Sequence, residues 1–215
     1  MSQPATAVWQ RPEAERLADV CVPGCGLVLG LCASAALLAT TLAQGDPALL
    51  VGTGIYVTGL LAMLGASLAF HSFGSSPRRR LLRRIDHAAI FAMIAGSATP
   101  FLLGRGAGVR GGILAAAIWA VAAAGIFVKL RFPIGRASRS VLFYLLLGWI
   151  GLASVVPSIS GETALLIAAG GAFYTIGIVF YLWRRLPFRS AIWHTFVLAG
   201  AACQYLAILG AVVSA

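Results

Sequence analysis

ALLVGTGIYVTGLLAMLGASLAFH (Ala48–His71), followed at once by SFGSSPRRRLLRR (Ser72–Arg84), decides the architecture. The first stretch carries no Asp, Glu, Lys or Arg and is long enough to cross a bilayer, which takes about 20 mostly apolar residues. The second packs five arginines behind a Gly-Ser-Ser-Pro turn signal. An apolar run closed by a short basic cluster is how membrane topology is encoded in sequence.

The same reading extends in both directions. Cys25–Ala43 precedes this stretch, and Ile85–Gly104, Gly111–Val128, Ser140–Val156, Thr163–Trp183 and Ala191–Val213 follow it. Turn chemistry separates them at Gly45-Asp46-Pro47, Pro133-Ile134-Gly135 and Pro157-Ser158-Ile159-Ser160-Gly161. The expected fold is all-α: a polytopic bundle of seven transmembrane helices in one domain over residues 25–213, behind a cytoplasmic N-terminal segment, residues 1–24. Thr99-Pro100 inside the third span predicts a kink, with Thr99 re-satisfying the carbonyl that proline frees.

Composition agrees. The 215 residues are 60% hydrophobic and only 10% charged, with a mean hydropathy of +0.93; a soluble domain carries about a quarter charged residues. The net charge of +10 sits in short runs between apolar spans, which argues against a nucleic-acid partner and for membrane lipids. With the N-terminus inside, the cytoplasmic segments hold Arg11 and Arg16, then Arg78, Arg79, Arg80, Arg83 and Arg84. They also hold Lys129, Arg131, Arg136 and Arg139, then Arg184, Arg185 and Arg189, leaving Arg105 and Arg110 outside. The positive-inside rule then places the N-terminus in the cytoplasm and the C-terminus outside. Cys21, Cys25, Cys32 and Cys203 lie in or beside apolar segments and read as small hydrophobes.

Ionisable groups within spans are costly and mark function by default. The three histidines, His71, His87 and His194, and Asp86 all fall at the cytoplasmic ends of their spans under this topology. Ser67 lies four residues before His71, on the same helical face. Two histidines from distant helices with a carboxylate at matching depth have the composition of a metal site. Polar residues at helix ends wetted by lipid headgroups have it too.

Ser67-Leu68-Ala69-Phe70-His71, Arg84-Ile85-Asp86-His87-Ala88-Ala89-Ile90-Phe91, Ala95-Gly96-Ser97-Ala98-Thr99-Pro100-Phe101 and Ile192-Trp193-His194-Thr195-Phe196-Val197-Leu198 together resemble the hemolysin III family. That family is the bacterial branch of the progestin and adipoQ receptors, and the resemblance covers nearly the whole chain. It implies a zinc ion near the cytoplasmic face, held by a histidine ending helix two and by two histidines at i and i+4 opening helix seven. His71 matches the first and His194 the second of the pair. Asp86 matches an acidic residue near the metal, usually acting through water, and Ser67 the serine preceding the ligand.

Three positions depart from the pattern. Ser190 stands where the first helix-seven histidine is expected, Gln204 where a later one is, and Pro23 where many bacterial members carry a histidine opening helix one. The expected metal set is therefore His71, His194, Asp86 and Ser190, with zinc binding weakened by Ser190. The family is similar in plan to alkaline ceramidases, which implies zinc-dependent hydrolysis of lipid amides with Asp86 and Ser67 as catalytic groups. The alternative is a non-catalytic membrane-homeostasis or receptor-like protein with a degraded metal site. Localisation in a bacterial inner membrane is expected. A retinal protein is excluded, because a Schiff base needs a lysine in mid-helix and Lys129 lies at the end of helix four. His87, pointing about 100° away from Asp86 on a helix, is expected to be interfacial or to support the site from behind.

Overall fold

The helix Glu13–Gln44 (α1) hands over to Pro47–Ser72 (α2) through two residues chosen for their backbones. Gly45 takes the left-handed conformation, φ 67°, that ends α1; any side chain there would strain the backbone. Asp46 accepts hydrogen bonds from the Ala48 and Leu49 N–H groups, at 2.9 and 3.2 Å. Those are amides that the new helix cannot satisfy itself. Pro47 fills the first turn, where a missing N–H costs nothing.

The computed structural model describes residues 12–73, 77–104, 108–132 and 137–214. Among the described residues the remaining elements are α3 (Arg79–Leu103), α4 (Gly108–Arg131), α5 (Ala137–Val155), a 3-10 turn (Val156–Ser158), α6 (Gly161–Leu182) and α7 (Arg189–Val213). Arg11, Arg105, Arg136 and the Gly74-Ser75-Ser76 turn lie outside the described residues.

Six of these helices are long and apolar enough to cross a membrane. The exception is α5, whose described apolar stretch, Phe143–Val155, is too short to count as a span. At the other end of the chain, α1 starts well before the apolar run at Cys25, so much of the expected N-terminal segment is helix.

The buried face of α1 is Asp19, Pro23, Gly26, Gly30, Ser34, Leu37 and Thr41, spaced by threes and fours as one helical stripe requires. It is small and polar, while Val28, Leu29 and Leu31 point outward. Leu29 is 68% exposed and Val109 on α4 81%. A soluble helix does the opposite. Apolar side chains facing out and small residues facing in are the pattern of an integral, multi-pass membrane protein, where helices associate by close backbone approach.

That approach is closest between α2 and α3. A Cβ on Gly52 would come within 2.9 Å of Pro100 Cα, one on Gly59 within 3.2 Å of the Ala92 carbonyl oxygen, and one on Gly96 within 3.3 Å of the Ile55 carbonyl oxygen. Tyr56, Leu60, Leu64, Phe91 and Met93 fill the core around this seam. A second seam joins α6 to α7, where Gly170 faces the Gly200 carbonyl oxygen.

The proline of α3 is accommodated differently from the expectation. Pro100 frees the carbonyl of Gly96, four residues back. The Thr99 hydroxyl instead donates to the Ala95 carbonyl at 2.8 Å and accepts from the Trp119 indole N–H of α4 at 3.1 Å.

Candidate functional site

At the end of the bundle where α2 finishes and α3 and α7 begin, polar side chains from four helices meet. Ser67 is one turn deeper than His71 on α2, and only 5% exposed. His194 comes from the first turns of α7. Its Nδ1–H donates to the Ser190 carbonyl at 2.7 Å, because a carbonyl can only accept. In the neutral ring the lone pair is then on Nε2, which accepts from the Ser67 hydroxyl at 2.8 Å. The Asp86 carboxylate, on α3, lies within hydrogen-bonding reach of the same hydroxyl. Ser67 has one proton to give, so it serves either His194 or Asp86 at a time.

The His71 ring stands edge-on to the His194 ring, with centroids 5.0 Å apart. On its other side His71 Nδ1 is 3.9 Å from Asp19 Oδ2, a carboxylate of α1 that is 6% exposed. A cavity of about 170 Å³, lined by Glu13, Arg16, Leu17, Val20, His71 and Ser72, reaches this edge from the α1 side.

Of the residues expected to form the site, Ser67, His71, Asp86 and His194 are thus gathered at one place. Ser190 is buried beside them, and what it gives His194 is its backbone carbonyl. His87 is not part of the group. Its carbonyl accepts from the Tyr144 hydroxyl of α5 at 2.9 Å, and its ring Nδ1 is buried with no hydrogen-bond partner among the described residues. Gln204 faces α6, its side-chain nitrogen 3.3 Å from where a Cβ on Gly170 would sit. Pro23 is fully buried inside α1.

Asp19 is absent from the expected set. Its sequence neighbours, Glu13-Ala14-Glu15-Arg16, look like a polar leader. The signal that would have found it is the stripe it heads, from Asp19 through Pro23, Gly26, Gly30 and Ser34 to Thr41.

Zinc prefers nitrogen and oxygen donors of this kind, and the two imidazoles with their oxygen-rich flank fit it in type. They fall short in number. Among the described residues no three His, Cys, Asp or Glu side chains gather closely enough to hold a metal by themselves.

The comparisons with known proteins bear on the same residues. A family model described as "Haemolysin-III related" matches residues 22–205, a range that holds Ser67, His71, Asp86, Ser190 and His194. The "Hemolysin-3 homolog" of Bacillus subtilis (strain 168) is 34% identical over 198 residues, covering 91% of this chain and 93% of that one. "Hemolysin-3" of Bacillus cereus is 33% identical over 198 residues, covering 91% and 90%. The "Monocyte to macrophage differentiation factor" of Homo sapiens is 33% identical over 163 residues, covering 72% of this chain and 67% of its own.

Proposed function

The chain belongs to the haemolysin III-related family, and from that premise we propose a zinc-dependent hydrolase of lipid amides, built as a seven-span protein of a bacterial inner membrane with its N-terminus inside. The single observation that carries the reading is the pair of imidazoles from α2 and α7, with centroids 5.0 Å apart, flanked by a hydroxyl and a carboxylate. A polar or ionisable group that is buried or half-buried in a membrane bundle is expensive. Four of them, contributed by three helices to one spot, support a role beyond packing.

His71 and His194 would hold the metal. Zinc bound there supplies a Lewis acid for a carbonyl and a more acidic water. The chain's own groups divide the remaining work. The Ser67 hydroxyl is a donor for an oxygen that gains negative charge as a carbonyl is attacked. Asp86 beside it is an acceptor for a proton released at the site. The Ser190 carbonyl holds the His194 ring by its Nδ1–H, the kind of outer contact that orients a ligand and fixes its tautomer. A site close to the helix ends meets a lipid amide near the headgroups, without lifting the lipid from the bilayer.

Metal analysis of the purified chain, set beside His71→Ala and His194→Ala, tests the site. About one zinc per wild-type chain and none in either variant is expected. A wild type without zinc sinks the reading. Release of fatty acid from a ceramide in mixed micelles, lost in Asp86→Asn, tests the reaction. Reporter fusions at Ala215 test the orientation, which fails if they are active only in the cytoplasm.

One observation favours a second reading, a non-catalytic membrane protein with a degraded site. It is the serine at position 190, which leaves two imidazoles where catalytic zinc commonly has three protein ligands. Zinc bound without any turnover of lipid amides is the outcome that would select it.

A further inference from the structure

Each of the two histidines turns Nδ1 toward an oxygen. His194 presents Nδ1 to a backbone carbonyl at 2.7 Å and His71 presents Nδ1 to the Asp19 carboxylate at 3.9 Å. The first is a hydrogen bond; the second is longer than one, and becomes one only when the two side chains turn toward each other. We propose that Asp19 of α1 is a positioning residue for His71. Its carboxylate holds the ring in the tautomer protonated on Nδ1 and leaves the lone pair on Nε2, matching His194. The role at the metal rests on the zinc reading above; the tautomer does not.

Three observations carry this. Asp19 is a carboxylate on the inner face of a helix whose other inward residues are small, uncharged or apolar, so its place is not explained by packing. It is 6% exposed, and a buried carboxylate in a membrane bundle persists where something uses its charge. One group it faces is His71, and a histidine that binds metal through one nitrogen almost always gives its other N–H to a carboxylate, a carbonyl or water. An unconstrained histidine side chain prefers the opposite tautomer, so without a partner at Nδ1 the Nε2 lone pair is lost from much of the population. α1 thereby enters the site, although neither histidine lies on it.

The chain has three histidines, which makes the tautomer directly observable. The full chain, labelled with 15N-histidine, metal-free and in lipid nanodiscs, gives three pairs of ring-nitrogen signals above the pH at which imidazole protonates. The His71 pair is identified by its disappearance in His71→Gln. A protonated Nδ1 and an unprotonated Nε2 are expected in wild type. Asp19→Ala should give a mixture and weaken zinc binding by about 10–100-fold. Asp19→Asn keeps an acceptor oxygen and should restore the tautomer and most of the affinity, which loss of packing alone would not predict.

Wild-type His71 protonated on Nε2 overturns the proposal without recourse to any variant, so a variant that fails to fold does not protect it. Zinc affinity equal in wild type and Asp19→Ala overturns the role of Asp19 while leaving the zinc site standing. Wild type that binds no zinc overturns the zinc site, and the metal-positioning role with it.

Discussion

The two ends of the bundle treat polar side chains in opposite ways. At the end where α1 passes to α2, the threonines give their protons to their own helices, although Thr99 also accepts from the Trp119 indole N–H of α4. Thr41 donates to the Leu37 carbonyl, Thr53 to that of Leu49 and Thr99 to that of Ala95, all four residues back. Asp46 is spent on capping α2. At the other end Ser67 bonds His194, 127 positions away in sequence, and His71 meets Asp19 across two helices. A polar group satisfied one turn away needs no further explanation, since the backbone offers that bond wherever a threonine falls in a helix. One satisfied across helices requires both helices to be set for it. The contrast separates architecture from site more sharply than burial does, because Thr53 and Ser67 are both buried.

Removing an imidazole attacks the contrast most directly. His194→Ala should lower bound zinc from about one per chain to none, whereas Thr53→Val should leave it unchanged; metal analysis of the two variants side by side decides. If both lose zinc, the cross-helix cluster is no more a site than the threonines are.

Restoring an imidazole sharpens it. Ser190 and His194 are one turn apart on a single face, so Ser190→His should add a nitrogen ligand at the place where the chain has a hydroxyl. Zinc affinity should rise on the order of 100-fold, read by competition with a chelator, because imidazole is much the better donor. An unchanged affinity would mean that position 190 contributes its backbone and nothing more.

The α2–α3 seam offers a change in stability in place of one in chemistry. Gly52→Ala places a methyl 2.9 Å from Pro100 Cα, against backbone that cannot step aside, and should cost about 1–3 kcal/mol. Gly112→Ala on α4 meets open space and should stay within about 0.5 kcal/mol. Thermal unfolding in detergent compares them; equal melting points would mean that the seam is looser than its distances imply.

The smallest expected effect is at Thr53 itself. Thr53→Val removes a hydroxyl whose hydrogen bond is local and keeps the shape, so about 1 kcal/mol or less is at stake, measured by the same unfolding curves. A loss as large as that of Gly52→Ala would make Thr53 a cross-helix residue in disguise.

The helix positions were legible in the sequence because the bilayer sets their length. α2, α4, α6 and α7 begin and end within about three residues of the apolar runs that announced them, while α3 begins six residues early, at Arg79. α1 was read short, since hydropathy sees Cys25–Ala43 and not the polar turns leading in from Glu13. Ser67, His71, Asp86 and His194 were legible through their motifs, which mark residues one by one and leave their pairing unstated. Asp19 was not, because its significance depends on which face of α1 turns inward, and that is settled by helix packing. The partner of Thr99 was misread for a related reason. Proline frees a carbonyl at a fixed offset, but a hydroxyl takes whichever carbonyl its rotamer reaches.

The two glycine seams have a consequence for motion. α2 lies backbone to backbone against α3, and α6 against α7, while α7 touches α2 and α3 only lightly. Ser67 and Asp86 ride on one pair and His194 on the other, and α1 ties them together, with Gly26 against Leu198 of α7 and Gly30 against Leu64 of α2. Any displacement of one pair against the other therefore moves α1, and Asp19 with it, as well as straining the Ser67–His194 bond.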